Sequence, residues 1–180
     1  MLNHLLLQEI TAKNFKGFED ITVDFTQGIN LLMGNNGSGK TSLLEAISIA
    51  LGQLFCRVNK VQSKEMTNDT VRYIYKKEGD ATHSFIPQYP QQVKYEFQWN
   101  DEKLFSSRLK LDSGENMYQV SDLRLPKNFS RLVNDANEKL PVVCLQSFDR
   151  DWNIGQIVEN QDFMVTAGMT LRIDGYKDCL

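Results

Sequence analysis

The stretch Gly34-Asn35-Asn36-Gly37-Ser38-Gly39-Lys40-Thr41 constrains this chain more than any other. An apolar run, residues 29–33, leads into it, and a run with helical spacing, residues 42–55, leads out. Strand, glycine-rich loop and helix in that order are the context that makes such a match a phosphate-binding loop. Glycines let the backbone turn tightly and bring its N–H groups close to phosphate oxygens. The helix that follows aims its positive end at the same anion. On this reading Lys40 reaches the β- and γ-phosphates of a nucleotide and the Thr41 hydroxyl is a ligand for Mg2+. The bland alternative, a glycine-rich turn before an ordinary helix, is weakened because every fixed position is filled and both flanks are right.

Composition excludes more than it assigns. One hundred and eighty residues suffice for one domain with its own core. A net charge of -3 gives no global argument for nucleic-acid binding. The apolar runs are much shorter than a membrane span, and the first twenty residues carry polar groups throughout, so neither a membrane segment nor a signal peptide is expected. Cys56, Cys144 and Cys179 are scattered and odd in number, with no metal-ligand spacing, which points to reduced thiols in a cytoplasmic protein. His4 and His83 have no carboxylate or thiolate cluster nearby in sequence and read as surface residues.

In chain order, residues 4–14 and 21–25 predict two strands, the second with Ile21, Val23 and Phe25 on one face, joined as an antiparallel hairpin through a turn at 16–19. Residues 29–33 form a short continuous apolar run, expected as a strand buried on both faces. The helix over 42–55 presents Leu43, Leu44, Ile47, Ala50, Leu51, Leu54 and Phe55, and weakens past Ala50 because of Gly52. Residues 56–70 read as a connector, 69–75 as either a helical turn or a short strand, 76–80 as a turn, and 85–92 as extended because of Pro87 and Pro90. Val93, Tyr95, Phe97 and Trp99 alternate strictly and mark a strand, with 104–111 as its partner through a turn at 100–103. That aromatic stripe could stack bases, but at strand spacing it reads as half of a core. Residues 123–140 predict a helix with Pro126 in its first turn. Residues 142–145 predict a buried parallel strand ending at Gln146, where ligands gather in α/β sheets, which makes Gln146 a candidate site residue.

A hydrolytic P-loop protein also needs an acidic residue at the end of a second apolar strand to hold Mg2+. The run 142–145 is followed by Gln146, and 169–174 ends at Asp174 but has polar residues inside it. Leu111-Asp112-Ser113-Gly114-Glu115 reads as a turn, and Asn59-Lys60-Val61-Gln62 lacks the aspartate that would read guanine. The sequence therefore carries a nucleotide-binding half-site without the hydrolytic half, and no catalytic set is complete in it.

Ile10-Thr11-Ala12-Lys13-Asn14-Phe15-Lys16-Gly17-Phe18, the strand over 21–25, Gly28-Ile29-Asn30-Leu31-Leu32-Met33, the loop 34–41 and Leu44-Glu45-Ala46-Ile47 together closely resemble the N-terminus of RecF/RecN/SMC/OLD-type ATPases, which share the ABC-type head. The core Asn36-Gly37-Ser38-Gly39-Lys40 is the ABC-like form of the loop. Leu140-Pro141-Val142-Val143 and the closing residues 174–180 are similar to the ATPase of Septu-type and retron-linked antiphage defence systems. The resemblance implies an α/β P-loop NTPase: a single AAA/ABC-type ATPase domain over 1–180 in its N-terminal part, built from an antiparallel β-subdomain and an incomplete parallel core sheet. It implies ATP and Mg2+ as cofactors, with Asn14, Phe15 and Lys16 near adenine and ribose. It places Gly34, Asn35, Asn36, Gly37, Ser38, Gly39, Lys40, Thr41 and Ser42 around the phosphates, with Thr41 and Gln146 at the metal. It also implies that the signature loop and the acidic strand lie in a further lobe, and that the intact bacterial, cytoplasmic protein forms a homodimer and acts on nucleic acid or with a nuclease partner. Two other readings stay open: a nucleotide-holding module without turnover, and a DNA-repair head that contacts DNA directly.

Overall fold

A computed structural model describes residues 5–58, 64–78, 82–114, 117–122, 124–135 and 140. Its centre is a five-stranded sheet in the order β2-β1-β5-β6-β7. The strands are β1 (Leu5–Phe15), β2 (Phe18–Asp24), β5 (Gln91–Trp99), β6 (Glu102–Lys110) and β7 (Met117–Ser121). Every pairing in it is antiparallel. A separate two-stranded ribbon pairs β3 (Tyr73–Glu78) with β4 (Thr82–Pro87).

Alternation fixes which face of the sheet is inside. Along β5 the odd positions are buried, with Val93 and Phe97 fully so and Tyr95 and Trp99 nearly so. The aromatic stripe is therefore core. On β1, Ile10, Ala12 and Phe15 join the same layer. Covering it are α1 (Lys40–Gly52), the 3₁₀ segment Gln53–Arg57 that continues it, and α2 (Arg124–Asn134). Phe55 and Phe129 lock the two helical pieces edge-to-face at 5.4 Å. The α-helix gives way to 3₁₀ geometry directly after Gly52, the residue whose backbone freedom weakens it. Asp122 opens α2: the Arg124 N–H donates to its Oδ1 at 3.0 Å.

Several expectations need correction. Residues 29–33 form no regular element and pair with no strand among the described residues, and Ile29, Leu31 and Met33 stand 97%, 76% and 82% exposed. An apolar run becomes a strand only when a neighbour supplies the other half of its hydrogen bonds. Local contacts hold the segment instead: Asn30 Oδ1 accepts from the Thr26 N–H at 3.0 Å and Asn30 Nδ2 donates to the Thr26 carbonyl at 2.8 Å. No parallel pairing occurs among the described residues, and the expected strand over 142–145, with Gln146, lies outside them. Helix α1 keeps most of its expected inward face, with Ile47 and Leu51 packed half-buried on the core and Leu54 and Phe55 buried in the 3₁₀ segment, and departs from it at Leu44. Leu43, Ala46, Ser48, Ile49 and Ala50 are buried, whereas Leu44 is 41% exposed. On β6 the inward positions are Leu104, Ser106, Arg108 and Lys110, so Leu109 lies on the outer face and Leu111, beyond the strand, is exposed. The turn expected at 76–80 is strand as far as Glu78, and β7 falls between the turn expected at 111–115 and the helix expected from 123, on residues for which no element was expected.

Candidate nucleotide-binding site

The loop 34–41 follows the unpaired segment 29–33 and enters α1 through Gly39, whose φ of 89° is the left-handed conformation that glycine adopts without strain. Gly37 is left-handed too, at 81°. Within the loop the Ser38 N–H donates to the Asn35 carbonyl at 3.2 Å. The Lys40 ammonium folds back into it, donating to the carbonyls of Gly34 at 2.8 Å and Asn35 at 2.7 Å and standing 3.4 Å from Ser38 Oγ. The loop thus wraps a fixed cation.

The start of α1 has no side-chain cap, and its first turn has no acidic residue. Leu43 makes the first helical bond, to the Gly39 carbonyl at 2.9 Å, which leaves the N–H groups of Lys40, Thr41 and Ser42 pointing out of the helix end. A helix end with free donors, no competing carboxylate and an ammonium beside it suits an anion. Thr41 is exposed at that end, and Ser42 is half-buried. Beside the loop is a hollow of about 300 Å³ lined by Phe18, Ile21, Leu31, Leu32, Met33 and Leu43 on its apolar side and by Ser38, Gly39 and Lys40 on the other.

The sequence-predicted residues divide in space. Gly34, Asn35, Ser38, Gly39 and Lys40 meet in the loop, with Asn36 and Gly37 at its exposed turn. Asn14, Phe15 and Lys16 instead knit the hairpin to the body. Asn14 and Lys16 are both left-handed, at φ 48° and 47°. Asn14 Nδ2 donates to the Pro90 carbonyl at 2.9 Å, and the Lys16 N–H donates to the Thr70 carbonyl at 2.7 Å. The Phe15 side chain is fully buried, so it offers a nucleotide no surface. Lys16 reaches α1 through an ion pair with Glu45, and Lys64 stands 3.9 Å from the same carboxylate. Phe18, which sequence reasoning left out of the site, packs against Gly39. A Cβ built on Gly39 would lie 2.5 Å from Phe18 Cζ. Its only sequence signal is its place directly after the Lys16-Gly17 turn. Among the described residues no group of three or more His, Cys, Asp or Glu side chains could hold a metal, and no helix is long and apolar enough to cross a membrane.

Loop, helix and supporting sheet define a P-loop NTPase domain of the α/β class. The family model for the AAA domain matches residues 9–180, so the chain belongs to that family. It is 50% identical over 46 residues to the DNA double-strand break repair Rad50 ATPase of Archaeoglobus fulgidus, an alignment covering 26% of this chain and 5% of that protein. Over 182 aligned positions it is 26% identical to the structural maintenance of chromosomes protein 3 homolog of Plasmodium falciparum, covering 97% of this chain and 12% of the relative. Against the DNA replication and repair protein RecF of Limosilactobacillus fermentum the identity is 46% over 43 residues, 24% of this chain and 12% of RecF. The chain is thus similar to proteins of the SMC, RecF and Rad50 type, and it spans a small fraction of the length of each.

Proposed function

We propose that this chain is the ATP-binding lobe of an SMC/RecF-like ATPase, holding ATP–Mg2+ on the loop 34–41. The observation that carries this reading is the uncapped start of α1 beneath two left-handed glycines, with the Lys40 ammonium fixed inside the loop. The residues present fit the ligand. The free N–H groups of Lys40, Thr41 and Ser42 would donate to phosphate oxygens, the Lys40 ammonium would offset their charge, and Thr41 Oγ1 would be one metal ligand. When bound, ATP–Mg2+ supplies the anhydride to be cleaved and a divalent charge that neutralises the phosphates. Gln146 is proposed as a second ligand, and Asn14 and Lys16 as the side of the site nearest adenine and ribose. In the intact protein, ATP binding and hydrolysis would couple homodimer closure to action on DNA or on a nuclease partner, as in the antiphage defence ATPases that the chain resembles.

Titration of ATP–Mg2+ tests this. Lys40→Ala is expected to weaken binding by tenfold or more, since a charge-assisted contact to phosphate contributes about 1.5–3 kcal/mol. The melting temperature without nucleotide should barely change, because Lys40 is bonded only within its own exposed loop. Unchanged affinity in that variant would refute the reading.

A second reading, a nucleotide-holding module without turnover, rests on the sequence, in which the apolar run 142–145 is followed by Gln146 and not by an acidic residue. Steady-state ATP hydrolysis by this polypeptide that disappears in Lys40→Ala would rule it out. The third reading, direct DNA contact by this lobe, predicts salt-dependent duplex binding against an overall charge of -3.

A further inference from the structure

We infer that the turn between β1 and β2 is a clamp that sets the phosphate loop, with Phe18 as its positioning residue; this rests on the ATP-binding reading above. The turn grips the start of α1 at two points. Lys16 forms the ion pair with Glu45, and two residues on, the Phe18 ring lies against Gly39. Gly39 and Glu45 are six residues apart, about 9 Å along a helix axis, so the grip resists tilting as well as sliding.

The clamp itself is anchored. Phe15 pairs with Phe18 across the hairpin and is fully buried. The Lys16 N–H is bonded to the Thr70 carbonyl at 2.7 Å, and the Asn14 carbonyl accepts from the Arg72 N–H at 3.0 Å. Phe18 is therefore carried on a fixed strand end while the loop beyond Gly39 is exposed. Gly39 is the last residue before the helix, so the plane of the Gly39–Lys40 peptide sets where the Lys40 N–H points. The ring edge fills the space that a Cβ would take, 2.5 Å from Cζ and 2.7 Å from Cε1, and so keeps the loop from relaxing toward the hairpin.

A half-buried phenylalanine serving only as core would tolerate tyrosine. A positioning phenylalanine would not, because the added hydroxyl sits on Cζ, the ring atom nearest Gly39. The test measures binding of ATP–Mg2+ and of inorganic tripolyphosphate to the full chain and to Phe18→Tyr, Phe18→Leu and Lys40→Ala, with melting of each protein without ligand. Phe18→Tyr should weaken both ligands by about tenfold and by the same factor. Phe18→Leu, too short to reach Gly39, should weaken both by a smaller factor. The inference is overturned if Phe18→Tyr binds like the wild type, or if ATP weakens and tripolyphosphate does not. Should Phe18→Tyr melt early, Phe18→Leu decides: wild-type affinity in it also overturns the clamp. Loss of binding in Lys40→Ala beside wild-type binding in both Phe18 variants would remove the clamp and keep the ATP reading. Wild-type binding in Lys40→Ala would remove the ATP reading itself.

Discussion

Replacing Gly37 and Gly39 singly by alanine separates two costs that the phosphate loop combines. Both residues are left-handed, at φ 81° and 89°. Alanine in that conformation costs about 1–2 kcal/mol. A Cβ at Gly37 meets nothing within 4 Å, so Gly37→Ala should show that strain alone. A Cβ at Gly39 meets the Phe18 ring at 2.5 and 2.7 Å, closer than carbon atoms pack, so the ring or the loop must shift. Overpacking of this kind adds about 1–3 kcal/mol, which brings Gly39→Ala to about 2–5 kcal/mol in all. At about 2–4 °C per kcal/mol for a chain of this size, the two variants should melt several degrees apart. Thermal and urea unfolding of the protein without nucleotide measure this. A double-mutant cycle assigns the difference: Phe18→Ala removes the obstacle, so adding it to Gly39→Ala should recover about 1–3 kcal/mol relative to additivity. Added to Gly37→Ala, it should recover nothing. Equal destabilisation of the two single variants, or a coupling near zero at Gly39, would refute the packing argument.

Asp122→Ala removes the cap of α2 and should cost about 1 kcal/mol in urea unfolding. The Arg124 side chain bonded to Asp122 holds that carboxyl below the usual carboxylate range, so its contribution is present above the unfolded pKa and fades as pH falls through the folded one. The gap between wild type and Asp122→Ala should therefore close below about pH 4. Phe129→Ala empties a fully buried position and its edge contact with Phe55, and should cost about 3–5 kcal/mol, measured the same way. Leu31→Lys with Met33→Lys should leave the melting temperature unchanged, since both side chains are largely exposed; a drop of several degrees in thermal unfolding would show that the segment packs against the body.

What could be read from the sequence was what local chemistry decides. The loop glycines, the helix after them and the strict alternation from Val93 to Trp99 each specify themselves within a few residues, and the structure has α1 and β5 there. What could not be read depends on distant partners. Lys76-Lys77-Glu78 has turn-like composition, yet cross-strand pairing with Thr82, His83 and Ser84 makes it strand. Leu109 and Leu111 pointed to the wrong face of β6, because Arg108 and Lys110 are turned inward. Arg108 is accommodated by donating from Nη1 to the Lys64 carbonyl at 2.6 Å, a backbone partner 44 residues away that no periodicity reveals. In the site the same division holds: Lys40 is legible from its spacing, whereas the Phe18 contact with Gly39 crosses from one element to another.

That division bears on how firmly the loop is held. One side of it is fixed: Gly39 rests on Phe18, and α1 is tied through Glu45 to Lys16 on a hairpin whose Phe15 is fully buried. The other side is residues 29–33, unpaired among the described residues, with three apolar side chains in the open. A backbone without ladder bonds opens more cheaply than one inside a sheet. The N–H groups of Lys40, Thr41 and Ser42, which have no partner within the helix, and those at the Gly34 end should therefore both exchange quickly without ligand, whereas Leu43, bonded to the Gly39 carbonyl, should exchange slowly. If the loop holds phosphate as proposed, the ligand should slow Lys40, Thr41 and Ser42, and slowing at Gly34 as well would show that the open side is ordered with them. On that proposal the hairpin positions the helix end of the cradle before any ligand arrives.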